Sequence, residues 1–402
     1  MVTIIILVVL APLFIINLFF VAEMAAGLPR GRTMRWPAAR GRTTIIIPAH
    51  DEEQVIARTL TALTAAIDDG FDILVVADNC SDRTAEIARA SGAKVIERQD
   101  ASRRGKGFAL AFARDHLRAD PPARVIVLDA DCRTDRNSLV ALAGACHSLS
   151  APAQAINLLE PAPAAGPLVQ VSSFAFLIKN LVRQRGLQRL AGSVHLTGTG
   201  MCLPWSLFSE ADLATASIIE DVRLGIELSR KGTHPRLIEE SVVWSPHADQ
   251  SQTLGQRSRW EGGYLGLARA TAPGLIRDGL VRISPRTLFA GLDLTIPPLA
   301  LLVMMTGAAF VLTLILAAVG LTSPLPAVLL GVVGLAAAIV LLLAWWREGK
   351  SFLSPAALAR LPLYPLWKIP MYLKLARSGA PKSWNRTERP GETGREGSPP
   401  SS

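Results

Sequence analysis

Cysteine, histidine and tyrosine are scarce in this chain of 402 residues, at four, six and three. Cys80, Cys132, Cys146 and Cys202 show no CxxC or Cys/His spacing, which argues against a zinc site and a disulfide framework. Free thiols in a reducing compartment fit them instead. No basic stripe interleaved with aromatics is present, so a nucleic-acid partner is not expected. No Walker loop is present either, which argues against phosphoryl transfer. Internal repeats are absent. The chain opens Met1-Val2-Thr3 without the basic start of a signal peptide.

What is abundant is apolar and, at the borders, basic. Half the residues are hydrophobic, mean hydropathy is +0.32 and the net charge is +9. Residues Thr3 to Ala22 form an apolar run long enough to cross ~30 Å of hydrocarbon as a helix. Arg30, Arg32, Arg35, Arg40 and Arg42 follow it, as cytoplasmic anchoring requires. Residues 1–24 therefore read as an uncleaved anchor, with the following domain on the cytoplasmic side of the cell (inner) membrane. Two further spans are expected, at about 298–321 and 325–346, the second leaving the bilayer at Trp345, Trp346, Arg347 and Lys350. Residues 352–375 are apolar but interrupted by four prolines and three basic residues, which suits an interfacial or re-entrant segment. Residues 377–402 are rich in Pro, Gly, Ser and charge and read as a disordered tail.

Residues 40–275 carry an α/β pattern. Apolar runs at 44–48, 73–77, 94–96 and 125–128 read as strands, and 52–67, 82–91 and 107–117 as helices between them. Near-continuous Val/Ile/Leu strands joined by helices imply a parallel sheet buried on both faces. Ligands in such sheets bind beyond the carboxyl ends of the strands, where Asp78, Asp129 and Asp131 fall.

Several groups there can do chemistry. Asp129 and Asp131 follow a buried strand and lie on one side if the chain stays extended. Two hard oxygen ligands suit Mg²⁺ or Mn²⁺ carrying phosphate oxygens; read alone, they also suit a helix cap. Asp78 can accept hydrogen bonds from a nucleobase or ribose, whereas Asp82 suits a helix cap. Lys106 follows Gly105 at a helix N-terminus, a place that favours anions. Glu220 and Asp221 open a helical pattern, where they stabilise the first turn or supply a base for an acceptor hydroxyl. Gln256, Arg259 and Trp260 share one helical face, fitted to a diphosphate and a sugar, or to a membrane surface.

In this order and between apolar flanks, these residues resemble the membrane-integrated family-2 glycosyltransferases, which include cellulose, chitin and hyaluronan synthases and ceramide glucosyltransferase. The resemblance covers roughly Thr43 to Tyr264. It implies a GT-A, Rossmann-like nucleotide-diphospho-sugar domain with transmembrane helices at both ends. It places Glu52, in Pro48-Ala49-His50-Asp51-Glu52-Glu53, near the uridine and Asp78 on the uracil. It gives Asp129 and Asp131 the metal and nucleotide sugar, Asp221 the role of catalytic base with Glu220 beside it, and Gln256, Arg259 and Trp260 the acceptor and diphosphate. Thr197 to Met201 would line the acceptor pocket. The loop Ala77 to Asp82 and the polar segment Ser245 to Gln252 depart from the family pattern; His247, within the latter, is a candidate third metal ligand. The function expected is inverting transfer of a hexosyl group from a nucleoside-diphosphate sugar, with UDP favoured, to a lipid acceptor at the membrane. Alternatives are a processive synthase of a β-linked polysaccharide, with partner subunits, and a non-catalytic membrane scaffold.

Overall fold

The computed structural model describes residues 1–215, 219–246 and 250–378, and of 250–256, Pro362, Ala376 and Ser378 the backbone alone. His247 and the tail from 379 lie outside the described residues, as does the side chain of Gln256.

Seven strands form the sheet: β1 Thr43–Ala49, β2 Phe71–Asp78, β3 Lys94–Arg98, β4 Arg124–Val127, β5 Ala153–Leu159, β6 Met201–Pro204 and β7 Arg236–Ser245. Their order is β3-β2-β1-β4-β6-β5-β7. The first four strands in chain order are parallel. The sheet as a whole is mixed, because β6 runs antiparallel to both β4 and β5. This corrects the expectation of a purely parallel sheet. β6 has only four residues and follows two glycines with positive φ, so no periodicity announces it.

Before β6 come α1 Val2–Gly27, α2 Ile56–Ala66, α3 Thr84–Ala90, α4 Lys106–Leu117, α5 Arg136–Leu149, α6 Pro167–Leu177 and α7 Gln184–Ala191, the last two joined by a π-helical turn over Ile178–Arg183. After β6 come α8 Trp205–Ser209, α9 Glu220–Arg230, α10 Gln250–Val281, α11 Pro285–Thr295, α12 Leu299–Ala318, α13 Leu325–Ala344, α14 Pro355–Leu358 and α15 Tyr364–Ser378. Pleating sends alternate residues of β1 to opposite faces. Ile45 and Ile47 join Ile56, Leu60 and Leu142 on one face, while Ile46 joins Leu110, Phe208 and Leu224 on the other. Helices thus cover both sides, as the apolar strands require.

α2 begins four residues later than its apolar pattern suggests. Asp51 has φ +53°. Beyond it the backbone N–H of Glu52 donates to Thr84 Oγ1 at 2.7 Å, and that of Glu53 to Asp82 Oδ2 at 3.0 Å. These bonds tie the loop to the start of α3 instead of continuing a helix. Asp82 also accepts from the Thr84 backbone at 2.9 Å, satisfying a donor of the first turn.

Among the described residues, three helices are long and apolar enough to cross a membrane: Val2–Gly27, Leu299–Ala318 and Leu325–Gly349. Asn17 donates to Thr306 Oγ1 at 3.0 Å, joining the first to the second. Arg30 grips Glu348 through two nitrogens at 3.0 Å, joining the first to the third. Glu23, fully buried on α1, accepts from Arg183 Nε at 2.7 Å, and Arg183 reaches Asp293 on α11 at 2.5 Å. Segment 352–375 forms α14 and most of α15. On α15, Lys368 pairs with Glu261 of α10, and Tyr372 Oη donates to the same carboxylate at 2.6 Å. Leu363, Leu366 and Leu373 stay exposed.

α1 meets α7 at glycines. A Cβ on Gly186 would lie 2.0 Å from the Glu23 carbonyl oxygen, and one on Gly27 1.9 Å from that of Val182. Gly186→Val should therefore push the helices apart and lower stability by about 1–3 kcal/mol. A drop in the thermal unfolding midpoint of purified protein in detergent measures this; an unchanged midpoint would refute the close packing.

Candidate active site

The carboxyl ends of β1, β2 and β4 open on one edge of the sheet, with Asp78 at the end of β2 and Asp129 just beyond β4. Asp129 lies two residues past β4, and its backbone N–H donates to Thr199 Oγ1 at 3.1 Å. Its carboxylate is paired with Lys106, the first residue of α4, and is 40% exposed, so it remains open to a ligand. Lys106 Nζ also donates to the Gly198 carbonyl at 2.8 Å. A Cβ at Gly198 would stand 3.1 Å from Asp221 Oδ2 and 3.4 Å from Lys106 Nζ. Gly198 has φ +78°, a conformation that glycine adopts without steric cost. One glycine thus lets Lys106 and Asp221 approach the same turn of backbone.

That turn is held from below by a residue that the sequence reading did not single out. Gln154 on β5 is buried; its Oε1 accepts from Thr197 N at 2.9 Å, and its Nε2 donates to the Thr199 carbonyl at 2.9 Å. Its signal is an amide, one of two with Asn157, within an otherwise apolar buried strand. Upstream, Gln184 brackets His195 through two bonds of 2.9 Å, and His195 pairs with Asp293. Burial works against the ionised form of Asp293, but Arg183 and His195 outweigh it and hold its carboxyl far below the usual range.

Glu220 and Asp221 open α9, and Asp221 Oδ1 accepts from the Val222 backbone at 2.8 Å. Burial raises the pKa of both carboxyls. Glu220 is pushed up to about 7, first by burial and then by the charge of Asp221, against the pull of Lys106. Asp221 rises chiefly through burial. Lys106 is buried too, yet the charges of Asp129 and Glu220 keep it firmly protonated. Lys179, on the π-helical turn, lies within electrostatic reach of Asp221 and places its ammonium over the Tyr264 ring at 5.6 Å.

The remaining positions take definite places. Asp78, at the end of β2, is buried against Arg98 at 2.6 Å and Asn79 at 3.0 Å. Glu52 lies in the loop after β1, beside Thr84. Asp131 accepts from Cys132 Sγ at 3.7 Å. Arg259 and Trp260 are half-buried on α10. Burial lowers the pKa of Arg259. The Trp260 ring lies 6.0 Å from Phe176, and Arg257 sits over it at 5.6 Å.

The donor set of Asp129 and Asp131 fits a hard divalent cation: two carboxylates and no nitrogen, one of them open and already attracting an ammonium. Another acidic group, Asp51, Cys80 and Asp82, has ligand atoms within 4.8 Å of one another. Its carboxylates already accept from Ser81, Glu53 and Thr84, which makes it a loop staple.

The model of the glycosyltransferase like family 2 matches residues 39–263, more than half of the chain. The chain belongs to this family. Its domain has the GT-A-like mixed α/β fold. Among curated proteins it is 36% identical over 98 residues to the low-salt glycan biosynthesis hexosyltransferase Agl6 of Haloferax volcanii, covering 24% of this chain and 22% of that protein. It is 24% identical over 236 residues to the probable glycosyltransferase YdaM of Bacillus subtilis, covering 55% of each. The chain thus spans about half or less of the length of these two relatives. A solved mannosyltransferase of Pyrobaculum calidifontis, in complex with GDP-Man and Mn²⁺, is similar over 92% of this chain and all of that one, with TM-score 0.57 and 18% identity. That likeness is one of fold.

Burial of Glu220 has a consequence for stability. Its carboxyl is raised from 4.5 to about 7 on folding, so the folded chain holds a proton that the unfolded chain releases. Stability should fall as pH rises from about 4.5 to about 7, by on the order of 1–3 kcal/mol. Glu220→Gln should flatten this part of the profile. Unfolding midpoints of both proteins across that range test it; parallel profiles would refute the buried, proton-holding carboxyl.

Proposed function

We propose that the chain moves a hexosyl group from a nucleoside-diphosphate sugar to a hydroxyl acceptor at the membrane, with inversion at the anomeric carbon. The observation that carries this reading is the meeting of Asp129, Lys106, Gly198 and Asp221 around one turn of backbone. A donor-binding carboxylate, a diphosphate-binding cation and a base thereby share one cleft.

Asp129 and Asp131 would hold Mg²⁺ or Mn²⁺, which when bound neutralises charge on the departing diphosphate. Lys106 adds a fixed positive charge on that side, and the N-terminus of α4 faces the same anion. Arg259 and Trp260 offer a guanidinium and a flat ring to the diphosphate and sugar, with Gln256 on the same helix. Asp78 and Glu52 border the nucleoside end. Asp221 accepts the proton of the attacking hydroxyl; Glu220, half-protonated near pH 7, sets the charge beside it. The acceptor oxygen attacks from the face opposite the leaving group, so the new bond inverts the centre.

The acceptor we propose is a lipid or lipid-borne glycan. Three helices long and apolar enough to span support this reading, together with arginines that follow the first of them. They are read as anchors in the cell membrane, with residues 40–275 in the cytoplasm and membrane lipid as the immediate partner. UDP-hexoses are the first donors to test, and GDP-mannose the next.

Asp221→Asn should lower sugar transfer by about 10²–10⁴-fold while donor binding is kept. Product formation from labelled donors in membranes, beside nucleotide binding to purified protein, checks this. Full transfer by the variant would refute the assignment of the base, and a ladder of product lengths would replace single transfer with processive synthesis.

A further inference from the structure

Away from the cleft, the turn between α10 and α11 exposes a run of large apolar side chains. Leu280 is 62%, Val281 76% and Ile283 87% exposed, in a part of the chain outside the three spanning helices. Ile283 also has φ +50°. A β-branched residue is rarely found there, because its side chain crowds its own backbone. A turn of this kind in water would favour Gly or Asn at that position and polar neighbours. The side chain is held outward at a steric cost.

The surroundings indicate what covers it. Arg277, Arg282 and Arg286 flank the turn and are exposed, against the single carboxylate of Asp278, which pairs with Arg277 at 3.1 Å. α11, which starts two residues beyond Ile283, runs along α1: the Phe289 and Phe19 rings lie 5.6 Å apart. Four residues beyond its end the chain enters α12. The turn is therefore continuous with the helices read as membrane anchors. Its apolar tip with a ring of arginines matches the boundary between acyl chains and anionic headgroups.

We propose that residues 280–283 form a wedge that inserts into the cytoplasmic leaflet and prefers anionic lipid. This rests on the reading of α1, α12 and α13 as spans, and not on the identity of the sugar or the acceptor. Seated so, α10 would be fixed to the bilayer at the end opposite Arg259 and Trp260.

The test uses the full chain in nanodiscs, with Cys80→Ser removing the half-buried thiol. An environment-sensitive dye is attached at Ile283→Cys or, as a reference on α12, at Leu312→Cys. At 283 we expect blue-shifted emission, quenched by lipids spin-labelled near the headgroup and shielded from iodide. The effect should be larger in phosphatidylglycerol mixtures than in phosphatidylcholine alone, and Arg282→Gln with Arg286→Gln should shrink that difference. A water-like, iodide-quenched label at 283 with a deep label at 312 would overturn the wedge while leaving the spans intact. If 312 also reads as water, the spanning assignment falls and the wedge with it. Ile283→Gly guards against a folding artefact. It relieves the backbone strain, so the unfolding midpoint should not drop, while a dye at Leu280→Cys should shift towards water. A dye at 280 that does not move would count against insertion.

Discussion

The site depends on one ammonium group facing three acids. Lys106 pairs with Asp129, shares the Gly198 turn with Asp221, and is held protonated in part by the charge of Glu220. Carboxylates withdrawn from water are costly unless a counter-charge accompanies them. Here the counter-charge sits on the first residue of a helix, so Asp129 and Asp221 are electrostatically joined through it. Burial, more than unbalanced charge, raises the pKa of both Glu220 and Asp221 against the pull of Lys106. Glu220, pushed up to about 7, is thereby fit to hold a proton near neutral pH.

Much of this was legible in the chain itself. Near-continuous Val and Ile in β1, β2 and β4 marked a sheet buried on both faces, and Asp129 followed β4 because a charged residue has to leave the core. What escaped depended on distant pairing. β6 is four residues long and joins the sheet only because β4 and β5 both offer it an open edge. Gln154 looked like a stray polar residue until the 197–199 backbone needed its amide. The link from Lys368 to Glu261 spans 107 positions and has no local signature. α2 began late because the bonds from Glu52 and Glu53 to α3 outweighed helical propensity.

The 197–199 turn is also tied to α1. From Gly198 the backbone leads through Thr197 to His195, whose ring pairs with Asp293 on α11; Asp293 meets Arg183, and Arg183 meets Glu23 on α1. These side chains have little exposure, so each hydrogen bond is geometrically strict. On the other side, α15 grips Glu261, the residue after Trp260, through Lys368 and Tyr372. The two ends of the chain thus brace the two sides of the cleft.

The Glu23–Arg183 bond also bears on how the protein is made. Arg183 lies 160 residues after Glu23, so a ribosome delivers the carboxylate long before its guanidinium. During that interval the carboxylate on α1 is without this partner. The helix therefore reaches its final contacts only once the residues up to Arg183 have been made.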